Sequence, residues 1–101
     1  MKFKINTKKE NGNIVFSIVG RLDTPSAERL RAVLIPAFDE ASSIELDFAQ
    51  VNHISSMVLS VLIDAEKTSM AKGVPMTISN VSDVIMRVLK ITKLDEKLTI
   101  R

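Results

Sequence analysis

Ser55 and Ser56 stand together ahead of an apolar run, Met57-Val58-Leu59 and then Val61-Leu62-Ile63, and they are the side chains in this sequence with the most specific chemical opportunity. A hydroxyl at the amino end of a helix meets backbone N–H groups that have no intrahelical partner, at the positive end of the helix dipole. Unmodified, such a serine is a cap; phosphorylated, it places close to two negative charges where negative charge is tolerated. The pair therefore reads either as ordinary capping serines or as a switch that changes the surface around the helix start without unfolding it. Other constellations are poorer. His53 is the one histidine and lies just before the serines, but nothing around it marks a nucleophile elbow, and the simpler reading is a loop or cap side chain. Asp23 and Asp47 form either a carboxylate pair or loop and capping hydrogen bonds. Gly12, Gly20 and Gly73 stand apart, so there is no glycine-rich phosphate loop. Without cysteine there is no disulfide, thiolate zinc site, iron–sulfur cluster or cysteine nucleophile. No catalytic residue, metal or cofactor is expected.

The elements that must position these residues follow from periodicity. Phe3, Ile5 and Thr7 alternate with polar neighbours, Glu10-Asn11-Gly12-Asn13 supplies turn chemistry, and Ile14, Phe16 and Ile18 alternate again. The spacing predicts a β-hairpin with the second strand the more buried. Gly20 ends that strand, and Thr24-Pro25 opens a helix with a capping hydroxyl and a proline at its first position. Apolar residues from Ala27 to Phe38 recur at spacings of three and four, which predicts an amphipathic helix to about Phe38. Ser43 to Phe48 reads as a third strand and Ala49 to Ile54 as a connecting loop. A helix runs from the serines to Lys72, stopped by Gly73. Val74 to Ser79 is a short strand, a helix carries Val84, Ile85, Val88 and Leu89, and Leu98-Thr99-Ile100 closes the pattern as a last strand. The order β-β-α-β-α-β-α-β predicts an α/β fold: a mixed, mostly parallel sheet of about five short strands with one helix-covered face.

At 101 residues, 46% hydrophobic and 26% charged, residues 1–101 are expected to form one packed domain. Fourteen basic against 12 acidic residues leave a net charge of only +2, so the pI of about 9.1 is weak ground for nucleic-acid or membrane binding. The amino end, Met1 to Asn6, alternates apolar and polar residues and lacks the apolar centre of a secretory signal; no stretch approaches the ~20 apolar residues of a membrane span. A cytoplasmic location is expected.

Gly20-Arg21-Leu22-Asp23-Thr24, Ile44-Glu45-Leu46-Asp47-Phe48, the Ser55-Ser56 helix start, Gly73-Val74-Pro75-Met76 and Val88-Leu89-Lys90-Ile91-Thr92-Lys93-Leu94-Asp95 together resemble a STAS domain of the anti-sigma factor antagonist type. The resemblance extends from about Phe3 to Ile100 and lies in the order and spacing of the elements. It implies a non-enzymatic, partner-switching protein that binds an anti-sigma factor which is also a serine kinase, or a related histidine-kinase-type ATPase domain protein, and so frees a sigma factor. That kinase would inactivate it by phosphorylating a serine at the second helix start, and a phosphatase would reverse this. The family segment commonly reads Asp-Ser-Ser-Gly with the second serine as acceptor, which nominates Ser56, with Ser55 as the alternative. Asp23 matches an acidic residue beside the same surface, so the implied partner surface is Asp23, Thr24, Asn52, His53, Ser55, Ser56 and Met57, with no direct nucleic-acid contact. Here Ile54 replaces the usual Asp and Met57 the usual Gly. Met57 either enlarges an apolar docking surface or packs in the core. These replacements also motivate a second reading: an unphosphorylated STAS accessory subunit of an ABC-type lipid transporter, docked on an ATPase subunit without inserting into the membrane.

Overall fold

The computed structural model describes residues 3–101; the alternation expected at Met1 and Lys2 lies outside the described residues. The predicted hairpin pairs β1 (Lys4–Glu10) antiparallel with β2 (Asn13–Leu22). Its turn places both Asn11 (φ 54°) and Gly12 (φ 85°) in the left-handed region, the geometry that matches strand twist in a two-residue connection. Gly12 also lies close to the chain entering β3: its carbonyl accepts from Ser42 N–H at 2.7 Å, and a Cβ there would lie 2.6 Å from Ser42 Oγ, which would have to turn away.

After β2 come α1 (Thr24–Ala37), β3 (Ser43–Ile54), α2 (Ser56–Lys72), β4 (Met76–Ser79), α3 (Asp83–Ile91) and a 3-10 turn, Leu94–Glu96. The sheet order is β1-β2-β3-β4, antiparallel at the hairpin and parallel at both crossovers, as the alternation of strand and helix requires. The expected fifth strand shortens to a single parallel bridge between Ile78 and Ile100. Its backbone bonds centre on one residue of β4: Ile78 N–H donates to the Thr99 carbonyl at 2.9 Å, and Arg101 N–H donates to the Ile78 carbonyl at 2.8 Å.

One core lies on one face of the sheet. Ile14, Phe16, Ile18 and Leu22 of β2 and Ile44, Leu46 and Phe48 of β3 meet Leu30 and Leu34 of α1, Val58, Val61 and Leu62 of α2, and Ile85 and Leu89 of α3. Helices α1 and α2 pack beside one another, joined at the surface by an Arg31–Asp64 ion pair of 2.8 Å. Alternate residues of β2 and β3, such as Val15, Ser17, Glu45 and Asp47, point to the opposite face and are half-buried.

The segment read as a loop, Ala49 to Ile54, instead continues β3. The register against β2 slips twice, between Ser17 and Val19 and between Gly20 and Arg21, so β3 carries extra residues and Asn52 is the one inserted at the second bulge. Burial from Phe48 to Ile54 therefore repeats every third residue, which erases the alternation by which a strand is recognised. Gly20 (φ 110°) sits at that second slip, in a backbone conformation that side chains disfavour.

Candidate functional site

Because β2 and β3 are parallel neighbours, their carboxyl ends finish together: Arg21 is paired with His53 and Leu22 with Ile54. Pairing extends one step further, where the Ser55 N–H donates to the Leu22 carbonyl at 2.8 Å. The Asp23-Thr24 start of α1 and the Ser55-Ser56 start of α2 are thereby held side by side at one end of the sheet. Leu22 and Ile54 form the floor beneath them, both buried.

The two helix starts are closed differently. Asp23, not Thr24, is the N-cap of α1: its Oδ1 accepts from Ser26 N–H at 3.1 Å and from Ser26 Oγ at 2.8 Å. The cap thus lies one residue earlier than expected and is a carboxylate instead of a hydroxyl, and Thr24 becomes the first helical residue, followed by Pro25. The Ser26 hydroxyl, and then its backbone N–H, hold the Asp23 carboxyl below its ordinary pKa, so it is an anion at neutral pH. At α2, Ser55 occupies the N-cap with an extended backbone but makes no side-chain cap bond, and no acidic residue stands in the first turn. Ser55 Oγ is enclosed and has no hydrogen-bond partner among the described residues, whereas Ser56 is exposed. For comparison, α3 has both a capping hydroxyl, Ser82 to Ile85 N–H at 3.3 Å, and Asp83 in its first turn.

Met57 follows Ser56 on the surface, 39% exposed, while Val58 is fully buried. Met57 therefore does not pack in the core. Ile54 packs inward at 8% exposure, so the position where an Asp was expected by resemblance belongs here to the floor. His53 is half-buried opposite Arg21. Asn52, at the bulge, lines a shallow groove of about 450 Å³ with Gln50 and with Ser82 and Val84 at the start of α3. The structure thus gathers Asp23, Thr24, His53, Ser55, Ser56 and Met57 at one end and turns Asn52 toward α3.

The carboxylate pair considered for Asp23 and Asp47 does not form. Asp47 lies within β3, level with Ser17 of β2, roughly 20 Å along the sheet from Asp23. Its Oδ1 accepts from Ala49 N–H at 2.9 Å and from Asn80 Nδ2 at 3.0 Å, the loop role that was the alternative. Leu22 and Ile54, neither of them in the expected partner surface, bring the two helix starts together. The signal available for Leu22 was that it resumes the alternation of β2 two residues beyond Gly20.

The family model of the STAS domain matches residues 4–101. The chain belongs to the STAS domain family. A relative of this STAS domain, the anti-sigma-B factor antagonist of Bacillus subtilis (strain 168), is 25% identical over 96 residues, covering 95% of this chain and 88% of the relative. Among solved structures, an anti-sigma factor antagonist from Mycobacterium paratuberculosis has a TM-score of 0.86 at 18% identity, covering 98% of this chain and 85% of that one. The anti-sigma factor antagonist SpoIIAA in its unphosphorylated form has a TM-score of 0.82 at 17% identity over 99% of this chain and 88% of its own. Its phosphorylated form, from Bacillus, has a TM-score of 0.76 at 17% identity over 99% and 91%. These structural likenesses establish the same STAS fold.

Proposed function

We propose that this STAS domain, residues 1–101, is an anti-sigma factor antagonist: a binding regulator, not an enzyme, that docks on an anti-sigma factor of the serine-kinase type and so controls sigma-factor-dependent transcription by partner switching. The observation that carries the reading is Ser56, an exposed hydroxyl on the first turn of α2, where neither a side-chain cap nor an acidic residue already answers the positive end of the helix. A phosphate there is accommodated by the helix and changes the docking surface instead of the fold. Ser56, and not Ser55, is the acceptor in this account, because the Ser55 hydroxyl is enclosed. Asp23, Thr24, His53 and Met57 complete the docking surface, and Asn52 extends it toward α3. A phosphatase resets the switch. The relative from Bacillus subtilis and the SpoIIAA structures, one phosphorylated, support this reading by their described roles.

No helix among the described residues is long and apolar enough to cross a membrane, which fits a cytoplasmic site of action. The experiment is a pull-down from the native cell with the full chain, followed by mass spectrometry of the protein it binds and of Ser55 and Ser56. Recovery of a kinase-type anti-sigma factor, with phosphate on Ser56 alone, is the expected result. The exposed Met57 beside the serine favours one other reading, docking on the ATPase subunit of a membrane lipid transporter without any phosphate. Co-purification with a transport ATPase and unmodified serines would establish that reading in place of the first.

A further inference from the structure

The sheet face opposite the core carries its own pattern. Strand pairing sets out one row as Lys8, Val15, Glu45 and Thr77 and the next as Asn6, Ser17, Asp47 and Ser79, with Lys4 beside Val19 beyond them. A basic edge (Lys4, Lys8), a middle of Val15 and Val19 about Ser17, and an acidic strand (Glu45, Asp47) in which Glu45 is already paired with Arg101 thus lie side by side across the face. Lys4 and Lys8 are exposed and make no ion pair among the described residues. The carboxylates opposite them are held in place: Glu45 accepts from Arg101 Nη2 at 2.6 Å and from Ser79 Oγ at 2.7 Å, and Asp47 from Ala49 and Asn80. A carboxylate accepts about four hydrogen bonds, so each retains capacity for another donor. A shallow groove of about 520 Å³ lies over the row of Lys8, Val15, Glu45 and Thr77.

We propose that this face is a self-complementary contact between two copies of the chain. A two-fold axis lying along β2, in the plane of the contact, turns the second copy over, preserves each row and exchanges the β1 side for the β3 side. Lys8 of each copy then faces Glu45 of the other, Asn6 faces Asp47, and Val15 and Val19 lie against their own equivalents. That is an isologous interface with two identical charge pairs around an apolar centre, in the aligned geometry that two twisted sheets adopt when stacked face to face. The face measures roughly 400 Å² from its strand spacing and rise, about half of what a stable partner commits, so the dimer is weak and concentration-dependent. It leaves the Ser56 end of the sheet free, and it does not depend on the proposed partner.

Sedimentation velocity on the full chain from about 10 μM to about 1 mM, in low salt, tests this over the range expected of a weak contact. The wild type is expected to shift from monomer to dimer, and the shift is expected to weaken as salt is added. Lys8→Glu and Glu45→Lys should each raise the dissociation constant about tenfold or more by setting like charges face to face. Mixing these two variants in equal amounts should restore a dimer, because each then meets the opposite charge. Circular dichroism confirms that each variant is folded; should Glu45→Lys lose its fold with its Arg101 and Ser79 bonds, Lys8→Glu and the salt series carry the test. A wild type monomeric at about 1 mM, a dimer unchanged by Lys8→Glu, or a mixture of folded variants that stays monomeric would overturn the proposal.

Discussion

The start of α1 is closed by the Asp23 carboxylate on Ser26, whereas the start of α2, held beside it by the 2.8 Å bond from Ser55 N–H to the Leu22 carbonyl, has no side-chain cap and an exposed serine as its first residue. Both follow neighbouring parallel strands and share one floor, so the difference is not one of location. It lies in what each side chain does: Asp23 satisfies the Ser26 N–H and hydroxyl and stabilises, while the Ser55 hydroxyl is turned in and Ser56 is left outside. Two adjacent helix ends can thus divide the work, one fixing the loop geometry and the other remaining open to modification. Asp23 consequently serves the docking surface from a fixed position, as an anion whose Oδ1 is already engaged.

The largest perturbation should come from the shared floor. Leu22 is fully buried beneath both starts, and Leu22→Ala should cost about 2–5 kcal/mol by urea denaturation and loosen both ends at once. Removing the α1 cap is smaller and selective. Asp23→Ala should lower the urea midpoint at neutral pH, and the deficit should depend on pH with a defined sign. Since the folded-state pKa of Asp23 is depressed, its contribution is complete above the unfolded value of about 4 and is lost as pH falls through the folded one. The wild-type and Asp23→Ala stability curves should therefore converge only on the acid side of that value. At α2, Ser55→Ala removes an enclosed hydroxyl without a hydrogen-bond partner and should leave the urea midpoint unchanged or raise it. A Ser55→Ala loss as large as that of Asp23→Ala would erase the contrast between the two starts.

Much of this arrangement was legible in the sequence, for reasons that also explain where it was not. The Asn11-Gly12 turn, the period of α1 and the Gly73 stop each rest on a local preference that the fold retains. The second half of β3 was unreadable because its two bulges replace alternation with a three-residue repeat, leaving Asn52-His53 to look like loop. Thr24 was given a cap role that Asp23 holds, since adjacent residues with similar capping ability are separated only by backbone geometry. The serines were visible as a motif; that Ser55 faces in and Ser56 out depends on the pairing of Leu22 with Ile54, a contact between distant parts of the chain that no local pattern carries.

The central claim, that the open start of α2 is the regulated docking surface, is tested most directly by titrating the partner recovered from the native cell with the wild type, Ser56→Ala and Ser56→Asp. Ser56→Asp should weaken binding by about 1–3 kcal/mol through desolvation and like-charge repulsion, with Ser56→Ala close to the wild type. Equal affinity of all three chains for that partner would contradict it.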